Sequence, residues 1–437
     1  MTELSFLENA ALGEKRLAFK HKSGLTVYLT PKSFITDYAV LSVKYGALDR
    51  AFTFEGKTYV PPAGVAHFLE HQLFTMPDGT DAFAAFAEVG ANANAYTSYS
   101  RTSYLFTCTS HFEESLDILL RMVTTPTFTE EGVAREKEII KQEILAGEDH
   151  PSSCLYRSTV GGLFENHPVK DGICGTVSSI GEITPDWLYL CHRAFYTPEN
   201  MVLSLSGKMS SDTVSAVLDR VLATKEYAPS ATRSLPMEER GPVLRQREEL
   251  YMSVAKPIME IGIKDREYPL DAIAMARRHI LANIALNALF GPASDFAEEM
   301  QEKGLLHDSF SSDYADEAGC AYLLLAAETA DPEAVFSRAV EIMQDAVASP
   351  PSEADFERLR TCAYADYVRL FDSTEEIAEE TLDDFFTGVP LLSVADTILD
   401  LAYEEWLSFI RSVFQRDLCT ISIVYPEEYK KQKGSTL

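Results

Sequence analysis

Apolar and polar residues alternate along residues 16–30, RLAFKHKSGLTVYLT, the period of a strand with one buried face. Ser23-Gly24 interrupts the alternation where a turn is needed, so a strand pair is predicted. A further alternating run over 37–46 predicts another strand, followed by a loop ending on Pro61-Pro62-Ala63-Gly64. Beyond Gly64 the pattern turns helical, and a second helix is predicted over 82–89 with Gly90 as its left-handed cap. Residues 92–99 read as extended chain, 103–109 as a strand, and 115–124 as an amphipathic helix. The next helix starts at Thr129, whose hydroxyl suits a cap, and runs through Ile144. A helix over 186–195 and an apolar strand over 200–207 close this half. The stretch 227–241, rich in Pro, Ser and charge, reads as an interdomain linker. After it come a strand (259–263), a helix (271–290), a strand (321–327), a helix (332–347), a helix capped by Ser352 and an apolar strand (420–425).

The order of elements repeats, and one stretch overlays another directly. Ala66-His67-Phe68-Leu69-Glu70-His71-Gln72-Leu73-Phe74 matches Ala282-Asn283-Ile284-Ala285-Leu286-Asn287-Ala288-Leu289-Phe290 in its apolar positions. His67, Glu70 and His71 are met there by Asn283, Leu286 and Asn287. Residues 126–140 resemble 351–361 in turn, cap and following helix. Two similar α+β domains are therefore expected: 1–226, then the linker 227–241, then 242–437.

Composition narrows the partners. The 437 residues carry a net charge of −29, which argues against nucleic acid and disfavours anionic membranes. A basic or neutral polypeptide would be attracted, though charge alone speaks only to solubility and steering. Seven cysteines, an odd number with no C-x-x-C, suggest neither a disulfide framework nor a cysteine zinc site. No signal-peptide core and no apolar run of membrane-spanning length are predicted, so a cytoplasmic location is expected.

The chemistry concentrates in His67-Phe68-Leu69-Glu70-His71. On a helix, two His four apart share one face and can ligate a single zinc ion. Glu70 projects beside them, within reach of a metal-bound water as general base. The order is H-x-x-E-H, the inverse of H-E-x-x-H. A catalytic zinc usually takes three protein ligands plus water, so one is missing. The acidic helix from Thr129 offers Glu136, Glu138 and Glu143. Glu136 and Glu143, seven apart, share a face, so one could bind metal while the other supports. Spacing alone leaves the choice open.

HFLEH, then NAYTS at 94–98, then EKEIIKQEI at 136–144 resemble the insulinase/pitrilysin family of zinc peptidases, which includes the mitochondrial processing peptidase and half-size bacterial members. Within it the likeness extends to the bacterial branch named for the aminopentanol modification of elongation factor P. The resemblance implies two homologous domains, each a mostly antiparallel sheet with helices packed on one face, the metallohydrolase fold of the processing-peptidase type. It also implies one Zn²⁺ per chain held by His67, His71 and Glu143, with Glu136 supporting and Glu70 as base. Asn94, Ala95, Tyr96 and Thr97 correspond to the strand that receives substrate as an added β-strand. One departure stands out: where the family carries an Arg and a Tyr around a Gly-Leu turn, this chain has Met300 and His307, with Lys303, His307 or Tyr314 as substitutes.

The function expected is that of a zinc-dependent endopeptidase acting on extended peptides or a specific protein. The alternative is a peptide-binding subunit of a homologous pair with little activity alone. A homodimer or a heterodimer with a homologous subunit is expected in either case, with no nucleic acid and no membrane partner.

Overall fold

The computed structural model describes residues 4–222, 227–307 and 310–434. It is a mixed α+β structure with two compact units, each built on one large sheet. In the first unit, seven strands lie in the order Ser5–Asn9, Glu14–Lys20, Thr26–Pro31, Met201–Gly207, Asp37–Val43, Thr102–Cys108, Asn92–Thr97. All neighbours are antiparallel except Thr26–Pro31 with Met201–Gly207. The turn between the first predicted strand pair is made by Gly24, at φ 101°, a left-handed conformation that glycine adopts without strain.

The second unit repeats this plan. Its five strands lie in the order Arg247–Met252, Cys419–Pro426, Ile258–Lys264, Cys320–Glu328, Ser311–Glu317. Its last strand in sequence, Cys419–Pro426, lies parallel to Arg247–Met252 and antiparallel to Ile258–Lys264, as Met201–Gly207 lies between Thr26–Pro31 and Asp37–Val43. Ile261 faces Ile421 on one side and Leu325 on the other, so the face turned to this unit's main core is apolar at its centre. The helix Ala272–Phe290 follows the second strand here as Val65–Leu73 does in the first unit. Asn283 and Asn287 are exposed on it, while Leu286 is buried. The stretch Ala272–Glu302 is long and apolar enough by length and composition to cross a membrane; in this structure Leu281, Ile284, Leu289 and Phe290 are buried in the second core.

The units do not follow the expected division into 1–226 and 242–437. The first takes residues up to Ile144, Gly172–Leu235 and Tyr367–Ala395, and the second takes the remainder. The handover at Leu235–Pro236 lies inside the predicted linker, part of which pairs as a short strand, Thr232–Arg233, with Phe52–Phe54. Two helices change sides, for a physical reason: each sheet has a second face that must also be covered, apolar in the first unit and largely polar in the second. On Asp37–Val43, Ala39, Leu41 and Val43 point into the main core with the helices of their own half. Tyr38 and Val40 point the other way and are covered, with Val202, by Ala378 and Leu382 of the helix Thr374–Phe386. The expectation of helices on one face thus holds for each half's own helices, and a helix from the other half closes the second face.

In the second unit the helix Pro151–Leu163 plays this part on Ile258–Lys264 and Cys419–Pro426. Its approach is close. A Cβ added at Gly262 would lie 2.7 Å from Thr159 Cγ2 and 3.0 Å from Thr420 Cγ2, so bare backbone makes room for the helix. Beside Thr159 sits Glu260, buried, with Oε2 unpartnered among the described residues. Burial pushes its carboxyl up to about 7, against a hydrogen bond with Thr159 that pulls it down. The folded chain thus holds this proton more tightly than the unfolded chain. The associated stability is full below the ordinary carboxyl range and is lost as pH rises toward about 7. Glu260→Gln, which cannot ionise, should raise the unfolding free energy at pH about 8 by an amount on the order of 2–3 kcal/mol and change it little at pH about 4, read from denaturant unfolding at both pH values. An equal shift at both pH values would show that charge burial is not the cause.

Candidate metal centre

The helix Val65–Leu73 is set by its first residues. Gly64 is left-handed at φ 89°, and a Cβ there would lie 2.3 Å from the carbonyl oxygen of Cys174. Val65, Ala66, Phe68, Leu69 and Leu73 sink into the core. The helical period then sets His67 and His71 one turn apart, their rings 4.6 Å centre to centre. The helix Glu130–Asp149 begins with Thr129 Oγ1 accepting from Gly132 N at 3.0 Å and is anchored by Val133, Ile140 and Ile144. Glu136 and Glu143 flank those anchors two turns apart, so both face the His pair.

The distances sort the three candidate glutamates. Glu143 Oε1 is 3.5 Å from His67 Nε2, and its Oε2 is 3.6 Å from His71 Nε2. Glu136 Oε1 accepts from His71 Nδ1 at 2.9 Å, while its Oε2 accepts from Gln72 Nε2 at 3.4 Å. Glu138 turns away and pairs with Lys141. A proton on His71 Nδ1 leaves the Nε2 lone pair free, which is how an outer carboxylate usually prepares a metal-binding imidazole. His67 Nδ1 is buried and has no such partner among the described residues.

Glu70 is buried beside the pair, and Thr97 Oγ1 donates to its Oε2 at 2.6 Å. Thr97 belongs to Asn92–Thr97, the last strand of its sheet, with no strand on its outer side among the described residues. The two-residue period divides this strand. Ala93 and Ala95 pack on the main core, and Thr97 reaches Glu70. Tyr96 turns to the opposite face, where its hydroxyl donates to Glu379 Oε2 at 2.6 Å. Glu379, on the exchanged helix, also accepts from Tyr38 at 2.8 Å. Asn94 is exposed, its Oδ1 accepting from Ala95 N. Sequence patterning offered no signal for Glu379, because the helix that carries it was not predicted.

Electrostatically the cluster is short of positive charge. Burial lowers the His67 pKa, yet hydrogen bonds to Cys174 and Glu143 and the charges of Cys174 and Glu70 outweigh it and hold it at about 10. The hydrogen bond to His67, opposed by burial, draws the half-exposed Glu143 carboxyl below its usual range. Separations of 3.5 and 3.6 Å are long for hydrogen bonds. They match the edge of a tetrahedron around zinc, about 3.4 Å for nitrogen and oxygen ligands at 2.0–2.2 Å. These residues fit a divalent metal.

Comparison with known proteins gives the family. The model of the insulinase family, peptidase family M16, matches residues 56–177, and that of the M16 inactive domain matches 182–361. The uncharacterized zinc protease YmfH of Bacillus subtilis is 33% identical over 426 residues, covering 96% of this chain and 99% of that protein. The chain belongs to the insulinase family of peptidases. An uncharacterized zinc protease of Mycobacterium leprae is 30% identical over 176 residues, 38% of this chain and 40% of that one. An M16-like peptidase structure from Alicyclobacillus acidocaldarius superposes with a TM-score of 0.91 at 29% identity, covering 96% of this chain and 99% of that one. A protease structure from Helicobacter pylori, with TM-score 0.81 and 17% identity over 94% of this chain and 100% of that one, shares the fold. The inactive-domain match covers the copy in which Asn283, Leu286 and Asn287 replace the insulinase-family motif.

In that second domain Met300 is buried in the core, and Lys303 pairs with Glu299. Tyr314 is buried with its hydroxyl donating to Asp265 at 2.8 Å, which removes it as a substrate contact; His307 is exposed. At the first domain's centre the residue that patterning missed is Cys174. Metal analysis should show Glu143→Gln largely stripped of metal, whereas Glu136→Gln keeps it with affinity lowered about 10–100-fold. Equal losses in both variants would contradict the separation of roles that the distances indicate.

Proposed function

We propose that the chain is a zinc-dependent endopeptidase, hydrolysing peptide bonds in extended peptides or a specific protein. The observation that carries this is the convergence of His67, His71 and Glu143 beside Glu70, next to a sheet edge with no strand partner among the described residues. A backbone laid along Asn92–Thr97 as a further antiparallel strand would bring its carbonyls past the metal centre, and recognition would fall mainly on main-chain hydrogen bonds. His67, His71 and Glu143 would hold a zinc ion, which when bound would supply Lewis acidity for the scissile carbonyl and the attacking water. Glu70 accepts the proton of that water and passes it to the departing amine. Thr97 holds Glu70 in place with a bond to a charged acceptor, a class worth about 1.5–3 kcal/mol. Glu136 keeps His71 oriented with its Nε2 toward the metal.

A second reading has one observation in its favour. Met300 and His307 stand where relatives carry a substrate-gripping Arg and Tyr, and Met300 is buried. A chain without that grip suits a subunit that pairs with a homologous partner and has little activity alone. Glu70→Gln distinguishes chemistry from binding. It should lower cleavage of a mixed peptide pool by about 10²–10⁴-fold while zinc content stays near that of the parent chain. Cleavage at the parental rate would overturn the role given to Glu70. Cleavage that appears only after adding a homologous subunit would favour the paired reading.

A further inference from the structure

Cys174 stands at the metal centre, although nothing in its local pattern marks it. His67, Glu143 and Cys174 each offer one ligand atom, and these atoms all lie within 4.8 Å of one another. Cys174 Sγ is 3.8 Å from His67 Nε2 and 3.7 Å from Glu143 Oε1. The edge between a sulfur ligand at about 2.3 Å and a nitrogen or oxygen ligand at 2.0–2.2 Å of one tetrahedral zinc is about 3.6 Å. The thiol therefore sits where a donor of the same ion would sit.

This position is built into the backbone. Gly64 and Gly175 are both left-handed, at φ 89° and 76°. A Cβ at Gly64 would lie 2.3 Å from Cys174 O, and one at Gly175 would lie 2.4 Å from Ala63 O. Ser179 Oγ donates to Ala63 O at 2.8 Å, tying the following turn to the same carbonyl. The Cys174-Gly175 backbone thus lies directly against Ala63-Gly64, the residues that launch the helix carrying His67. Only glycine at these two positions permits so close an approach, which sets the Cys174 backbone beside the start of the His67 helix. Cys108, Cys191, Cys320 and Cys419 are by contrast buried in their cores.

We propose that Cys174 is a fourth protein donor to the metal held by His67, His71 and Glu143. It takes the coordination position that hydrolysis requires to be open, so the loaded resting site is closed by a thiolate and opens when Cys174 withdraws. The inference rests on the metal-site reading above. On binding, the S–H bond breaks, the proton leaves to solvent and the sulfur electron pair forms the bond to the metal. Four protein donors are the pattern of closed zinc sites, and three with an open position that of catalytic ones. Cys174 lets one centre adopt either state.

Cobalt(II) substitution in the full chain tests this without relying on turnover. The parent chain should show visible ligand-field bands together with a near-ultraviolet thiolate-to-cobalt charge-transfer band. Cys174→Ser and Cys174→Ala should keep the first and lose the second, with zinc affinity by chelator competition lowered about tenfold or more. At saturating zinc, both variants should cleave a mixed peptide pool faster than the parent. Ligand-field bands without charge transfer in the parent chain would overturn the role of Cys174 while leaving the three-donor site standing. A charge-transfer band surviving in both variants would assign the sulfur to another cysteine and overturn it too. Absence of all cobalt bands from the parent chain would remove the metal site itself and this inference with it.

Discussion

The constraint on which the structure depends is that both large sheets are buried on two faces, the second face being apolar in the first unit and largely polar in the second, where Glu260, Lys264, Thr420 and Ser422 are buried. Asp37–Val43 is buried along its whole length, with alternate side chains feeding different clusters. A layer of helices on one face leaves Tyr38, Val40 and Val202 in water, at about 1.5–3 kcal/mol for each large side chain left uncovered. The helix Thr374–Phe386 removes that exposure in the first unit; in the second, Pro151–Leu163 covers a polar face, with Ser422 Oγ donating to Ser158 Oγ at 3.1 Å. Each is taken from the opposite half of the sequence. Neither half of the sequence therefore supplies a complete unit, which is why the compact units cut across the duplication that the sequence displays.

That arrangement reaches the candidate site through the sheet. Asn92–Thr97 is an edge strand, held on one face by the core beneath Ala93 and Ala95 and on the other by Tyr96 bonded to Glu379. Both anchors fix its side chains and leave its outer hydrogen-bonding edge without a strand partner among the described residues. Arg101, paired with Asp383 and lying over the Phe386 ring, extends the same attachment past the end of the strand. An edge strand is normally a liability in a sheet, and here it lies beside Glu70, where pairing with another chain serves the proposed chemistry.

How much of this was legible follows from the kind of signal each element leaves. Most of the central strands and many helices announce themselves because their apolar residues recur with a clear period and their ends carry Thr, Asp, Pro or Gly. The strands Ser5–Asn9, Arg247–Met252 and Ser311–Glu317 and the helices Ser211–Leu222, Asp295–Glu302 and Tyr403–Val413 were not predicted. Gly24 and Thr129 act as their residue types suggest. The two exchanged helices leave no such signal. PSSCLYRSTVGGL owes its contact to small residues that allow close approach, and TEEIAEETLDDFF hides a short apolar stripe among acids. At the site, the His pair and Glu70 were readable from one helical turn. The choice of Glu143 over Glu136 and Glu138 needed the family resemblance, because seven-residue spacing gives both Glu136 and Glu143 the same face. Cys174 was not readable at all, since it arrives through backbone contact between two glycine-containing turns more than a hundred residues apart.

The second copy of the motif helix shows which of these features belong to folding and which to chemistry. Ala282, Ile284, Ala285, Leu286, Leu289 and Phe290 fill the second core much as Ala66, Phe68, Leu69 and Leu73 fill the first. Asn283 and Asn287 meet water where His67 and His71 meet Glu143. The fold therefore has no need of an imidazole pair on this helix. A buried His67 with an unpartnered Nδ1, pressed against a carboxylate and a thiol, is a costly arrangement for a chain to keep if it only had to pack. A cation at the point toward which Glu143 and Cys174 are both turned would relieve that cost.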